Sequence, residues 1–415
     1  MHWIVVGGGS AGCAVASRLV AHPDDDVVLL EAGPANQPAH ATDTGPRPDD
    51  ATFNRPGVMV SRRAGDAVAP YSQGRGLGGS SLINGGVVTT KIPTHLEAIV
   101  PRERPWARGP VGDALLTSDD GAREVELVRR NGKRVTAADM FLGSLAAAPN
   151  LEIRTSTTVQ RLVIDGRRVV GVETAGGDEV TGDAVVLCGG AIETPGLLLR
   201  SGVDTPGVGV GVQDHPSVRL AFDLDPDRFD PTVSAISATV ERGTHQILAL
   251  DHVRADLPLG VLMTGLLRVA SRGAVTLPDP DGSPVVQFNM LTDSEDATGL
   301  VGAALDLVDI ARRRTFRDAV GRMYIDDHGT ELSTLTSADD VARWALAAEL
   351  GGYHHVSASC RRGVVTDADG WVRGYDRLAI GDASLFDGVP ASDPYIAVVA
   401  QALRLPTQAF LTRFR

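Results

Sequence analysis

Gly7, Gly9 and Gly12 stand in the spacing G-x-G-x-x-G, directly after the apolar run Trp3-Ile4-Val5-Val6. Residues 13–22 carry small and apolar side chains at helical spacing, and a second apolar run, Val27-Val28-Leu29-Leu30, closes on Glu31. The pattern is strand, glycine turn, helix, strand. Each glycine has a physical task. The first permits a tight turn, the second lets a diphosphate approach the backbone, and the third lets helix and strand pack closely. The helix N-terminus, with Ser10 and Ala11 in its first turn, then stabilises the anion. Glu31, at the end of the second strand, is placed to accept hydrogen bonds from an adenosine ribose. A glycine turn without a ligand is the plain alternative, and the strand–turn–helix context weighs against it. The fingerprint serves NAD and FAD alike; its place at the start of a long chain leans to FAD.

Further glycine corners follow. In GRGLGGSSLINGG (residues 74–86), Gly78 and Gly79 offer unhindered backbone N–H groups and Ser80 and Ser81 two hydroxyls. Such a loop can hold a diphosphate or the polar edge of a flavin ring, and Asn84 can hydrogen-bond the same region. Taken alone, the loop reads equally as a surface turn. Gly189-Gly190-Ala191 succeed the strand-like Val185-Val186-Leu187, making another strand-to-helix turn, with Thr194-Pro195 starting the helix because proline suits a first turn. Asp214-His215 reads as a hydrogen-bonded structural pair at a domain edge, and an isolated Asp382 as a cap.

The elements that position these corners sit in a chain of 415 residues, 43% hydrophobic and 22% charged, enough for two or three domains and a sizeable core. A net charge of -13 repels phosphate backbones and anionic membrane faces, so nucleic acid is not an expected partner. Three separated cysteines offer neither a disulfide framework nor a zinc site, which fits a reducing, cytoplasmic setting. No basic segment precedes the first strand, and no apolar run reaches the ~18 residues of a membrane span. Residues 33–70 read as a long excursion, a lid or cofactor cover. Residues 151–187 read as a strand meander. Strand-like runs at 246–253, 260–267, 274–277 and 285–291 and a helix over 295–314 make a mixed middle module, and a helix near 394–404 closes the chain.

At this point five blocks, in order, resemble the glucose–methanol–choline (GMC) flavin oxidoreductases. IVVGGGSAGCAVASRL…VVLLEAG resembles the family's opening, residues 74–86 its first signature loop and GGAIETPGLLLRSGV (189–203) its second. GVGVGVQDHP (207–216) resembles the segment that follows, and HVSASCRRG (355–363) with LAIGDAS (378–384) its C-terminal elements. The resemblance implies an α/β architecture: a discontinuous Rossmann-like FAD-binding domain (1–87, 130–218 and 352–415) with an α+β substrate domain on an antiparallel sheet (88–129 and 219–351). It implies FAD, held near Gly7, Gly9, Ser10, Ala11 and Gly12, by Glu31 and Ala32, and along Gly78, Gly79, Ser80, Asn84 and Gly85. Val159 holds the adenine through its backbone, although it also reads as plain core. Gly189, Asp382, Ala383, Pro394 and Tyr395 complete the implied cofactor contacts.

Alcohol oxidation removes a proton from oxygen and a hydride from carbon, and histidine is the usual base. Of ten histidines, His355 occupies the position of the family's active-site histidine, with Ala358-Ser359-Cys360 where Gly-Thr-Cys is usual. The second family position, usually His or Asn, falls on Asp393. A carboxylate there either orients His355 and raises its pKa, or is protonated and donates a hydrogen bond as Asn would. A shifted alignment, with Ser392 or Tyr395 in the pocket, stays open. The expected activity is oxidation of a small CH–OH donor, with a quinone, a carrier or O2 as electron acceptor. A hydroxynitrile-lyase-like enzyme and a non-catalytic flavoprotein scaffold are the rivals. The compact length resembles members associated with mycofactocin metabolism, which implies a dehydrogenase.

Overall fold

A computed structural model describes residues 1–36, 51–145, 147–254 and 256–405. The lid expected over 33–70 therefore falls in part, at 37–50, outside the described residues. The first apolar run forms β1 (His2–Val6) and the second β2 (Asp26–Leu30), joined through helix α1 (Ser10–Val20). Later segments add β3 (Leu151–Arg154), β4 (Ala184–Leu187) and β5 (Leu378–Ile380). The sheet runs β3-β2-β1-β4-β5 with every pair parallel. This is a doubly wound order, and it reverses between β1 and β4, the point at which such sheets place a ligand crevice beyond the carboxyl ends of their strands. The turns after β1 and β4 are the glycine corners at 7–12 and 189–190.

Both faces of this sheet are covered, and strand alternation sorts the side chains. Trp3, Val5, Val27, Leu29 and Val186 point to one face, under α1 and the closing helix α3 (Tyr395–Arg404). Ile4, Val6, Val28, Leu30, Val185 and Leu187 point to the other. There they meet α2 (Gly190–Arg200) and a three-stranded antiparallel sheet of Val159–Asp165, Arg168–Thr174 and Glu179–Thr181. The meander expected over 151–187 thus divides, since its first and last strands, β3 and β4, join the parallel sheet. Apolar runs look alike in both sheets because both bury alternate residues. The second helix also starts earlier than Thr194-Pro195: it opens at Gly190, with Pro195 inside it. Its first turn is fixed by the Asp382 carboxylate, which accepts from the Gly190 N–H at 2.8 Å and the Thr194 hydroxyl at 2.6 Å.

The second large sheet is antiparallel. Its main strands are Pro216–Asp223, Leu259–Leu266, His245–Leu250 and Ile236–Glu241, in that spatial order. Alternation again divides its faces. Leu220, Phe222, Val240, Ile247, Ala249 and Leu262 pack on helix Ser294–Arg312 in one core. Ile236, Leu248, Leu250 and Val261 form a separate apolar patch with Val125 and Leu127 on the opposite face. That patch meets the second glycine loop: a Cβ on Gly85 would lie 2.7 Å from Ile236 Cδ1. The antiparallel sheet therefore presents an apolar wall to the second glycine loop. We propose that it and its helices form the substrate side, over 88–129 and 219–351. A smaller sheet joins the two sides, with Met59–Ser61 pairing parallel to Val285–Gln287.

Candidate active site

The crevice is built first by close backbone packing. A Cβ on Gly12 would lie 1.8 Å from the Gly7 carbonyl oxygen, so only glycine lets α1 sit on β1. Gly7, at φ +100°, would drive a Cβ to 2.6 Å from the Cys188 carbonyl oxygen. Gly9 is different. A Cβ there would meet only Gly79 Cα, at 3.9 Å, so the side it would occupy is open, while on the other side Gly79 packs on the Gly9 backbone, a Cβ on Gly79 standing 2.6 Å from Gly9 Cα. No side chain caps the α1 N-terminus, where Ser10, Ala11 and Gly12 lie in the first turn. An open glycine beside an uncapped helix start fits a diphosphate.

Glu31 lies where expected but its carboxylate is already engaged. Oε2 accepts from the Gly8 N–H at 2.7 Å, and Oε1 from the N–H groups of Gly33 at 2.7 Å and Gly76 at 3.0 Å. Burial pushes its pKa up, against the pull of those three N–H groups. Oε2 keeps lone-pair capacity for a ribose hydroxyl. The 74–86 loop differs from the reading of free amides. The Gly78 N–H donates to the Gly8 carbonyl at 2.8 Å and the Gly79 N–H to that of Gly76 at 2.8 Å. These donors are spent inside the protein, and what faces Gly9 is the bare Gly79 Cα. Ser80 Oγ accepts from the Gly74 N–H, and Asn84 Oδ1 from Arg134 and the Gly86 N–H.

The remaining expected contacts gather around the same crevice. Ala32 offers its carbonyl to Arg75. Val159 begins its strand beside Thr157, whose N–H donates to the Glu31 carbonyl. Asp382 is buried, and burial raises its pKa; besides its bonds to α2, its Oδ1 accepts from the Ser384 N–H. Ala383 donates nothing to it but accepts from the Ala358 N–H, tying this corner to the segment that carries His355. Gln73, not singled out by the sequence, reaches over Gly189 and leaves a buried Oε1 with no partner. Pro394 and Tyr395 start α3, and the Tyr395 hydroxyl is another buried group without a partner.

The expected base, His355, lies on one of two chain segments that run side by side. Residues 351–357 run antiparallel to 213–217, paired at Gly352–Pro216 and Ser357–Gln213. Asp214 fastens them. Its Oδ1 accepts from the N–H groups of His215 at 2.7 Å and His355 at 3.0 Å, and its Oδ2 from the Tyr71 hydroxyl at 3.0 Å. His355 Nδ1 lies 3.0 Å from His215 Nδ1, and His355 Nε2 lies 3.5 Å from Asp393 Oδ1. The Thr89 hydroxyl donates to Asp393 Oδ2 at 2.6 Å. The Tyr353 ring stands nearly perpendicular to both histidine rings, and its buried hydroxyl has no partner.

The structure thus brings His355 and Asp393 together. It also revises Asp214-His215, read above as a structural pair: both lie in direct contact with His355. Tyr353 and Thr89 gave no local signal, because their partners are set by topology; Thr89 and Asp393 are 304 positions apart. Burial holds the His355 pKa well below the usual histidine value, helped by neighbouring His215 and His354. Burial pushes Asp393 up from 3.8 to about 6, against the Thr89 hydrogen bond.

Two stretches of the chain, residues 112–217 and 269–402, match family models described as GMC oxidoreductase, and together they take in more than half of it. The chain is a GMC oxidoreductase. It is 26% identical to the 5-(hydroxymethyl)furfural oxidase of Methylovorus sp. (strain MP688), over 99% of this chain and 98% of that relative. The oxygen-dependent choline dehydrogenase of Escherichia coli O127:H6 is 25% identical, over 92% and 90%. Among solved structures, pyridoxine 4-oxidase from "Mesorbium loti" superposes with a TM-score of 0.84 at 22% identity, covering 100% and 99% of the two chains. This oxidoreductase is an FAD enzyme, and the open Gly9, the uncapped α1 and the unpartnered Gln73 Oε1 fit that cofactor. No helix among the described residues is long and apolar enough to cross a membrane.

Two glycine variants separate packing from binding. Gly12→Ala is expected to cost ~3 kcal/mol or more through overpacking, read as a lower urea midpoint. Gly9→Ala is expected to fold normally but to weaken FAD at least about tenfold, or 1.4 kcal/mol, read by flavin titration of the apoprotein. Asp393 gives a third prediction. Its raised pKa means that ionising it costs stability: the cost is complete above pH 6 and vanishes as pH falls below 3.8. Asp393→Asn is therefore expected to stabilise the apoprotein by up to about 3 kcal/mol above pH 6, and by far less at pH 4. With FAD bound, the same variant is expected to raise the flavin midpoint potential, since an anion there opposes negative charge on the ring. An unchanged potential removes Asp393 from the ring's vicinity.

Proposed function

We propose that this oxidoreductase oxidises a small CH–OH donor, with His355 as the base that takes the hydroxyl proton. The observation that carries the proposal is the setting of His355: one ring nitrogen is anchored on His215, and the other faces Asp393, the two positions that the family resemblance pairs. Bound FAD supplies the acceptor for the hydride that leaves carbon. The protein's own part is to take the proton and to stabilise the charge this creates. A neutral His355 is ready as a base at neutral pH because burial lowers its pKa. On gaining the proton it becomes an imidazolium, and ionised Asp393 then provides the nearby negative charge. The Thr89 hydroxyl holds the Asp393 carboxylate in place.

The relatives' names suggest which donors to test first: hydroxymethylfurfural, choline and pyridoxine. The alignment to the furfural oxidase runs over 526 positions, more than this chain's 415 residues, so that relative carries insertions absent here. We read the missing length as a trimmed substrate side, which would favour an acceptor bulkier than O2 and a dehydrogenase. The described cysteines, Cys13, Cys188 and Cys360, are free and buried, which supports a reducing, cytoplasmic setting.

Anaerobic mixing of FAD-loaded protein with each alcohol is expected to bleach the visible flavin band, and a dye or quinone is expected to restore it faster than O2. Turnover without bleaching would instead indicate lyase action, and neither effect would indicate a scaffold. His355→Gln is expected to lower kcat by 10²- to 10⁴-fold, the usual worth of a general base, while retaining flavin. The pH profile of kcat/KM is expected to fall below a limb near pH 6. There the Asp393 carboxyl gains a proton and donates it to His355 Nε2, blocking the base. The apparent pKa belongs to the coupled pair, and Asp393→Asn is expected to remove or displace that limb.

A further inference from the structure

His215 lies outside the group of residues that would touch substrate, yet its hydrogen bonds decide how His355 carries its proton. His215 Nε2 lies 3.0 Å from the Pro390 carbonyl oxygen. A carbonyl can only accept, so Nε2 of His215 bears hydrogen. His215 is fully buried; burial holds its pKa down against the Asp214 carboxylate and the Pro390 and Leu267 carbonyls, which pull it up, and the net direction favours the neutral ring. A neutral imidazole with hydrogen on Nε2 has a bare Nδ1. That bare nitrogen is the one 3.0 Å from His355 Nδ1, so His355 Nδ1 must donate the hydrogen. A neutral His355 protonated at Nδ1 has its lone pair on Nε2, on the side of Asp393. The chain of roles starts at a carbonyl that cannot switch and ends at the nitrogen that would act as base.

The surrounding groups leave this assignment intact. Asp214 spends its carboxylate on the backbone N–H groups of both histidines and on Tyr71, and makes no bond to either ring. His354 packs on Tyr71 with the rings tilted and their centroids 4.7 Å apart, and its proximity helps hold the His355 pKa down. The Tyr353 ring stands nearly perpendicular to both imidazoles. Asp393 faces only Nε2 of His355 and is itself held by Thr89.

We propose that His215 is a positioning residue that fixes the tautomer of His355, making Nε2 the only nitrogen able to take the substrate proton. The inference rests on His355 being the base. It has a further consequence for the proton: the route through His215 ends at the Pro390 carbonyl, so the proton taken up at Nε2 leaves on the Asp393 side.

The test is nitrogen NMR of the FAD-loaded protein labelled with [15N]histidine, with His355→Gln and His215→Asn used for assignment. The expected spectrum has His355 Nδ1 protonated, Nε2 bare, and a coupling to His215 Nδ1 across the hydrogen bond. A His355 protonated at Nε2, or no such coupling, overturns the inference. Kinetics give the second arm. His215→Leu removes the acceptor and is expected to lower kcat/KM on the order of 10²-fold, with the loss in kcat and a displaced acidic limb. His215→Asn keeps an oxygen facing Nδ1 and is expected to recover to within about tenfold of wild type. Wild-type kcat/KM and pH profile in His215→Leu, with flavin bound, also overturn the inference. Should His215→Leu not fold, the spectra and His215→Asn still decide. If no alcohol bleaches the flavin, the functional reading fails, while the spectra still report the tautomer.

Discussion

Asp214 is a carboxylate in a place that water does not reach, and such a group must be fully hydrogen-bonded or neutralised. Here it accepts two backbone N–H groups and a tyrosine hydroxyl, and those three donors come from three separate parts of the chain. Satisfying one buried charge thus brings His215 and His355 into register and adds Tyr71 from the N-terminal third. Gly352 is part of the same arrangement, because a Cβ there would stand 2.5 Å from Asp214 Oδ2. Removing the carboxylate would leave buried donors unpaired and the two histidines without a common anchor.

Around that anchor, two sheets meet at the crevice. The parallel sheet delivers backbone: glycine corners at the ends of β1 and β4, and the acidic groups Glu31 and Asp382 just beyond β2 and β5. The antiparallel sheet delivers an apolar face and, through its neighbour Gly351–Gly352, the histidine segment. The division follows from strand alternation. A sheet buried on both faces can give one face to its own helices and the other to a ligand, as Ile247 and Leu248 show by entering different cores.

Much of the cofactor side was legible in the sequence, because its signals are local. Gly7, Gly9 and Gly12 sit within six residues of one another, and Glu31 follows at a fixed offset. What the pattern did not reveal was how the glycines divide the work, with Gly7 and Gly12 closing on neighbouring backbone and Gly9 left open. The reacting end was legible only through family resemblance, which supplied His355 and Asp393. Thr89, Tyr353 and His215 take their meaning from partners brought near by topology, and no spacing rule announces a contact between Thr89 and Asp393. Strand type was equally hidden between 151 and 187, where alternation reads the same in a parallel and an antiparallel sheet.

The edge position of β5 makes completion of the parallel sheet a long-range event. The first glycine corner, Glu31 and the second glycine loop lie within the first hundred residues, but the outermost strand, its Asp382 turn and α3 follow the antiparallel sheet in the chain. His355 precedes that strand and Asp393 follows it, opposite a threonine from the first hundred residues. The N-terminal strand–helix–strand unit can therefore form from neighbouring sequence, whereas the contacts among Thr89, His355 and Asp393 wait until the chain has closed around both sheets.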